Sequence, residues 1–247
     1  MKRSSLLAQL IYRSILVIVG ITGAILGFVN KGAHCFLFYT YWSGWFATIV
    51  AITTLVSTIL QLVKGKKEGY NKFIPILKFC ANIMIIATFV VAGFVLPDKI
   101  WMKEYWTYAT GIFYHFLLPI MTVGDSVLFD KKQSYRLVYP FIGFIPSLIY
   151  WIIVIWRFLA YRSACGGHIP QAEWAYYYPY GFTNIDKNAS LGGLIGLLAC
   201  ILVALILIGF IYWTVDKLVK VDGKTKFENK INEEEMTDII HLLKKNK

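Results

Sequence analysis

The sequence predicts an all-α polytopic membrane protein, a bundle of six transmembrane helices with both termini in the cytoplasm. Of its 247 residues, 57% are hydrophobic and 16% are charged, and the mean hydropathy is +0.59. An ordinary soluble domain is only about 45–50% apolar. This composition, the length of the apolar stretches and the distribution of basic residues together exclude a soluble globular protein.

Six apolar stretches of roughly 20 residues or more are each long enough to cross the hydrocarbon core of a bilayer. They are Leu6–Phe28, Phe36–Val63, Phe73–Leu96, Trp106–Phe129, Leu137–Tyr161 and Leu191–Thr214. The first exceeds the 7–15-residue apolar core of a signal peptide and is predicted to remain as a helix. Residues 1–214 thus form a transmembrane domain, and residues 215–247 form a cytoplasmic tail with a short amphipathic helix at 232–244.

Basic residues concentrate at one set of helix ends. That set carries Lys2, Arg3, Lys64, Lys66, Lys67, Lys72, Lys131, Lys132, Arg136 and the lysine-rich tail. The opposite loops carry only Lys31, Lys99, Lys103, Arg162 and Lys187. The positive-inside rule places both termini in the cytoplasm, and we expect the protein in the cell membrane. The net charge of +11 is then a topology signal with attraction to anionic lipid, not a nucleic-acid footprint.

The four cysteines form no framework. Cys80 and Cys200 fall inside apolar stretches, where small core residues are expected. Cys35 and Cys165 both fall at the predicted outer face, where they could either form a disulfide or stay free. No C-x-x-C motif or His/Cys cluster indicates a metal, and no cofactor is expected.

One long outer connection, residues 162–190, is rich in aromatic residues and is called the aromatic loop below. Its aromatic-rich run contains Trp174, Tyr176, Tyr177, Tyr178, Pro179, Tyr180 and Phe182. Such a run is typical of a belt resting at the headgroup level, and it could equally cover a cavity as a lid. Arg157, just inside the outer end of the fifth stretch, either snorkels to the interface or binds a fatty-acid carboxylate.

A single histidine, His115, lies near the middle of the fourth stretch. An ionisable side chain at that depth is costly and indicates a functional site by default. Pro119, Thr122 and Ser126 follow it at offsets of 4, 7 and 11 residues, which keeps all four on one helical stripe. Because lipid offers polar groups no partner, this stripe should face the bundle interior.

The second stretch carries a comparable stripe of small and polar residues: Thr40, Ser43, Gly44 and Ala47. At about 1.5 Å per residue, His115 lies roughly 14 Å below the start of its stretch and Thr40 roughly 6 to 12 Å below the start of its own. The two side chains could therefore share one cavity in the outer half. A hydroxyl beside a neutral imidazole can act as nucleophile and general base.

The order of short motifs along the chain resembles a known family. The motifs are Phe38-Tyr-Thr-Tyr-Trp-Ser-Gly-Trp, then Tyr114-His-Phe-Leu-Leu-Pro with Asp125 ten residues past the histidine, then Tyr178-Pro-Tyr-Gly-Phe. In order and spacing, from the first stretch to the sixth, they resemble the androgen-induced gene 1 and ADTRP family and its bacterial relatives. The bacterial relatives often have Ser-Asn where this chain has Ser43-Gly44, and Asp-Trp where it has Asp125-Ser126.

The resemblance implies a multi-spanning hydrolase that cleaves fatty acid esters of hydroxy fatty acids with a threonine and a histidine. Those residues match Thr40 and His115, which become the predicted catalytic pair, acting through an acyl-threonine intermediate. No standard third residue is evident to orient the imidazole.

The residues predicted to contact a lipid substrate with long acyl chains are Ser43, Pro119, Thr122 and Arg157. Arg13 and Asp125, both towards the cytoplasmic side, are predicted to form a structural ion pair. The alternative function is a non-catalytic lipid-binding or transport protein in which His115, Asp125 and Arg157 line a polar path. A structural protein with a packed centre is a third hypothesis, and the sequence leaves the oligomeric state open.

Overall fold

In a computed structural model, residues 3–64, 74–91, 109–187 and 190–219 are described. Over these residues the chain is all-helical and contains no strand, which confirms the predicted all-α class. Four helices are long and apolar enough to cross a membrane: Leu6–Leu37, Tyr39–Lys64, Tyr139–Ala164 and Leu191–Leu218. Two shorter apolar helices, Ile74–Val90 and Phe113–Phe129, accompany them. These helices indicate a membrane-embedded protein.

The α-helices of the described residues overlap the predicted apolar stretches, except for one four-residue helix in the aromatic loop. In chain order they are α1 (Arg3–Lys31), α2 (Tyr39–Lys64), α3 (Ile74–Val90), α4 (Ala109–Ile112), α5 (Leu118–Phe129), α6 (Tyr139–Gly143), α7 (Ile145–Ala164), α8 (Trp174–Tyr177) and α9 (Leu191–Leu218). Short 3₁₀ turns occupy Gly32–Leu37, Gln171–Glu173 and Gly181–Thr183, and a π-helical turn, Phe113–Leu117, joins α4 to α5. The tail helix expected at 232–244 lies outside the described residues.

Helix ends differ from the predicted bounds where local geometry intervenes. Gly32 has a positive φ of 54°, the left-handed conformation that ends a helix, so α1 stops at Lys31. A 3₁₀ turn then delays the start of α2 from the expected Phe36 to Tyr39. At the other end of the chain, α9 continues past the expected Thr214 to Leu218.

The fifth stretch is interrupted near its start. Pro140 lies in the first turn of α6 and Pro146 in the first turn of α7, with a break at Phe144 between them. Proline has no N–H and cannot complete the ladder of a continuous helix. The carbonyl of Ile142, four residues before Pro146, instead lies 3.8 Å from the Cys80 thiol of α3.

One stripe of α1 packs into the bundle. Its members recur every three or four residues and are Gln9, Arg13, Leu16, Gly20, Gly23 and Gly27. The three glycines lie directly against Thr48, Tyr114 and Tyr41, where a β-carbon would collide with each side chain. Small residues of this kind allow membrane helices to approach closely, which places α1 against α2 and the π-helical turn.

A buried group of four charges, called the charged cluster below, lies among α1, α3 and α5. Arg13 Nε lies 2.8 Å from Asp125 Oδ1, which confirms the predicted ion pair. Lys78 Nζ lies 2.6 Å from Asp125 and also contacts Asp130, whereas Arg13 Nη2 lies 3.8 Å from Asp130. Arg13 Nη1 also donates to Thr58 Oγ1 at 2.7 Å. The charges balance, as buried charges require.

The sequence left open whether two of the four cysteines form a disulfide. Cys35, Cys80, Cys165 and Cys200 are all free in the structure. The disulfide between Cys35 and Cys165 that the sequence left open is therefore not formed.

Candidate active site

Thr40 and His115 come together at one end of the bundle. Thr40 is the second residue of α2, and His115 lies in the middle of the π-helical turn between α4 and α5. Thr40 Oγ1 lies 3.2 Å from His115 Nε2, and both residues are half-buried. The predicted proximity of the two side chains is confirmed by this distance, whereas their catalytic roles stay a prediction.

The second ring nitrogen of His115 fixes the direction of this hydrogen bond. Nδ1 lies 3.2 Å from the backbone carbonyl oxygen of Gly111. A carbonyl oxygen can only accept, so Nδ1 carries the hydrogen, and in a neutral ring Nε2 holds the lone pair. The Thr40 hydroxyl therefore donates to Nε2, which is the arrangement that a general base requires. The orienting group that the sequence did not reveal is this backbone carbonyl.

The π-helical turn has an identifiable cause. Pro119 lies in the first turn of α5 and is buried. A proline ring collides with the carbonyl four residues earlier, which here belongs to His115, and proline cannot donate to the helical ladder. The preceding turn widens, and the Leu118 N–H bonds the Phe113 carbonyl five residues back. Pro119, predicted to contact substrate, thus shapes the backbone that carries His115.

Tyr114 anchors the same turn in the bundle. It is fully buried, with its ring between Gly23 of α1 and Gly44 of α2. A β-carbon on Gly44 would lie 2.8 Å from two ring carbons, closer than such atoms approach. The Tyr114 hydroxyl donates to the Gly20 carbonyl at 3.4 Å. A side chain at position 44 would therefore displace this ring, which explains the glycine at that position.

Ser43, predicted to contact substrate, has partners within the protein. Its side chain is fully buried, and its hydroxyl lies 2.9 Å from the Thr40 carbonyl and 2.7 Å from Thr88 Oγ1 on α3. Thr88 in turn donates to the Met84 carbonyl at 3.1 Å. The Ser43 hydroxyl is thus held at the interface of α2 with α3 and supports the Thr40 backbone.

The other two residues predicted to contact substrate are Thr122 on α5 and Arg157 on α7. Thr122 is 6% exposed, and its hydroxyl has no hydrogen-bond partner within the described residues. Arg157 Nη2 donates to the Tyr176 carbonyl at 2.6 Å, and its guanidinium lies 5.3 Å and 4.8 Å from the ring centres of Tyr176 and Tyr177. The aromatic loop therefore holds Arg157, and Thr122 remains available for a polar partner.

Sequence reasoning missed two features that the structure places at buried polar sites. Lys78 lies in an apolar stretch and completes the charged cluster, and its only signal was its charge. The Gly111 carbonyl has no side-chain signal, although Pro119, four residues after His115, indicates a disturbed backbone. In the part of the chain that the structure describes, no group of three or more His, Cys, Asp or Glu residues could hold a metal ion.

Comparisons with protein-family models, curated proteins and solved structures give no match for this chain.

Proposed function

We propose that the protein is a membrane-embedded lipid ester hydrolase in which Thr40 is the nucleophile and His115 is the general base. The observation that carries this proposal is the 3.2 Å contact from Thr40 Oγ1 to His115 Nε2. The other ring nitrogen, Nδ1, is hydrogen-bonded to the Gly111 carbonyl. This tautomer leaves Nε2 ready to accept the hydroxyl proton, which is what makes a threonine reactive.

The reaction proceeds in two halves. His115 Nε2 takes the Thr40 proton as Oγ1 attacks the ester carbonyl carbon. The tetrahedral intermediate collapses, the carbon–oxygen bond to the alcohol breaks, and the imidazolium returns its proton to the leaving oxygen. His115 then takes a proton from water as the water oxygen attacks the carbonyl carbon of the acyl-threonine. The bond from that carbon to Thr40 Oγ1 breaks, the imidazolium returns its proton to Oγ1, and the carboxylic acid leaves.

The start of α2 provides electrostatic support for the negative oxygen of the intermediate. N–H groups in the first turn have no partner within their helix, and the helix dipole is positive at this end. The Tyr41 and Trp42 N–H groups bond the Phe38 carbonyl at 3.1 Å and 3.3 Å. We propose that the Thr40 N–H, which belongs to the nucleophile itself, donates to this oxygen.

The substrate class follows from the location and from the family resemblance. We propose a lipid with long acyl chains, such as a fatty acid ester of a hydroxy fatty acid, because the pair lies in an apolar helix bundle and the motifs resemble the androgen-induced gene 1 and ADTRP family. The proposal includes membership of that family, six transmembrane helices, both termini in the cytoplasm, and location in the cell membrane. It requires no cofactor.

A polar column favours transport or lipid binding as the second candidate. From the Thr40–His115 pair towards the charged cluster, α5 carries Thr122 and Ser126 and α3 carries Asn82, all buried. Asn82 Nδ2 donates to Ser126 Oγ and to the Tyr212 hydroxyl, both at 2.8 Å. Such a column is what a polar route across the bundle would use.

The test is hydrolysis of a long-chain lipid ester by the purified protein in lipid nanodiscs. We expect Thr40→Ala and His115→Ala each to lower the rate by a factor on the order of 10³, the range reported for removing such groups. Thr53→Ala is the matched control, because Thr53 is an exposed threonine on the same helix whose hydroxyl bonds its own backbone at 2.9 Å.

Retention of wild-type hydrolysis by Thr40→Ala would reject the nucleophile assignment. If the wild-type protein hydrolyses no ester but transfers lipid between vesicles, the transport candidate replaces the hydrolase.

A further inference from the structure

The turn that carries Thr40 is held by a group outside its own helix. The Tyr39 N–H, at the first residue of α2, donates to the Tyr180 hydroxyl of the aromatic loop at 2.9 Å. A first-turn N–H has no acceptor within its helix, and leaving it unpaired in an apolar environment is unfavourable. Tyr180 therefore supplies the hydrogen-bond partner that α2 lacks, one residue before Thr40.

The Tyr180 ring is held rigidly by its aromatic neighbours. It stacks on Phe182 with ring centres 5.2 Å apart and planes inclined by 6°, and it meets Phe38 edge-on at 5.9 Å. Trp151 of α7 packs at 6.0 Å. Because these contacts fix the ring, the Tyr180 hydroxyl moves only when the aromatic loop moves.

A second tyrosine braces the same turn from α7. The Tyr150 hydroxyl donates to the Leu37 carbonyl at 2.6 Å, and Tyr150 also interacts with the Tyr180 side chain. The Tyr39 hydroxyl bonds Ser147 Oγ at 2.7 Å. Backbone groups at Leu37 and Tyr39 are thus fastened by two tyrosine hydroxyls, and the residue that follows is Thr40.

We propose that Tyr180 is a positioning residue for Thr40, and that the aromatic loop sets the distance between the Thr40 hydroxyl and His115. This inference rests on the proposed function for its kinetic consequence, whereas its geometric consequence is independent of any activity. Displacing the loop moves the Tyr180 hydroxyl, frees the Tyr39 N–H, and lets the first turn of α2 shift relative to the π-helical turn.

The direct test is Tyr180→Phe, which keeps the stacked ring and removes only the hydroxyl. A misplacement of about 1 Å can lower a rate up to about 10²-fold, so we expect kcat to fall by about 10- to 100-fold with KM changed by less than about twofold. Tyr176→Phe is the matched control, because Tyr176 is an exposed tyrosine of the same loop and the change keeps its ring. It should retain wild-type kcat.

A nitrogen NMR measurement on histidine-labelled protein separates positioning from activity. The His115 signal is assigned by its loss in His115→Gln, and Thr40→Ala defines the Nε2 shift without the threonine bond. We expect Tyr180→Phe to move this signal towards the Thr40→Ala value and Tyr176→Phe to leave it unchanged. If Tyr180→Phe does not fold, Tyr150→Phe removes the other brace and should give the same displacement.

The outcomes distinguish the two proposals. If Tyr180→Phe keeps both the wild-type His115 signal and wild-type kcat, the positioning role is wrong even though hydrolysis by Thr40 stands. If Tyr180→Phe moves the signal while Thr40→Ala loses no hydrolysis, the positioning role holds and the proposed function fails.

Discussion

Two polar sites among the described helices differ in the kind of contact that pairs their groups. In the charged cluster, Asp125 lies 2.8 Å from Arg13 and 2.6 Å from Lys78, and Arg13 also bonds Thr58. At the other site, Thr40 and His115 are half-buried, and a 3.2 Å hydrogen bond joins their side chains. Both interrupt apolar helices, yet only in the second does a hydroxyl lie beside a nitrogen that can accept its proton.

The contrast shows why an ionisable residue in a membrane helix is not by itself a functional site. Charges that balance and pair one another stabilise a particular packing of helices, since removing one partner leaves the other buried and unpaired. A neutral imidazole whose Nδ1 is fixed by a backbone carbonyl keeps Nε2 as an acceptor. We therefore interpret the charged cluster as structural and the Thr40–His115 pair as chemical.

The largest expected effect on stability comes from breaking the charged cluster. Asp125→Ala leaves Arg13 and Lys78 without their shared carboxylate, and we expect the free energy of unfolding to fall by about 3–5 kcal/mol. Thr40→Ala, which removes one neutral hydrogen bond, should lower it by no more than about 1 kcal/mol. Denaturant titration in detergent micelles measures both. Equal losses for the two variants would remove the distinction between the sites.

The next largest loss of stability is expected from crowding the Tyr114 ring, which lies beside His115 in the chain. Gly44→Ala places a methyl group 2.8 Å from Tyr114, and we expect a loss of about 1–3 kcal/mol together with reduced ester hydrolysis. Gly196→Ala on α9 is the matched control, because its added methyl group meets no atom within 4 Å. Unfolding and hydrolysis are measured on both variants. Wild-type behaviour of Gly44→Ala would show that Tyr114 does not position His115.

The smallest effect comes from the hydroxyl that supports Ser43. Thr88→Val keeps the shape of the side chain and removes its bonds to Ser43 and to the Met84 carbonyl. We expect the free energy of unfolding to fall by about 1 kcal/mol, the usual contribution of a neutral hydrogen bond. Denaturant titration checks this value. A loss as large as that of Asp125→Ala would mean that the polar groups around Thr40 are as interdependent as the charged cluster.

The sequence predicts the class of fold and the proximity of Thr40 to His115 because both depend on periodicity and depth. Apolar stretches mark the helices, and counting residues from their ends gives Thr40 and His115 a similar depth in the membrane. Arg13 and Asp125 could be paired in the same way, since opposite charges at similar depth require each other.

Features that depend on backbone detail could not be predicted. The start of α2 moves to Tyr39 because a 3₁₀ turn, rather than a helix, follows Gly32. The Gly111 carbonyl and the Tyr39 N–H are main-chain groups. A pattern of side chains along the sequence does not indicate which partners such groups have. Ser43 forms part of a helix interface because Thr88 faces it from α3, and that pairing depends on how the two helices are rotated.

The most direct test of the central claim is mass spectrometry of the protein quenched in acid during turnover of a long-chain lipid ester. We expect the acyl mass on the peptide that contains Thr40, and its absence from Thr40→Ala, because the intermediate is an acyl-threonine. Turnover that proceeds with no acyl group on that peptide, or undiminished in Thr40→Ala, would contradict the assignment of Thr40 as nucleophile.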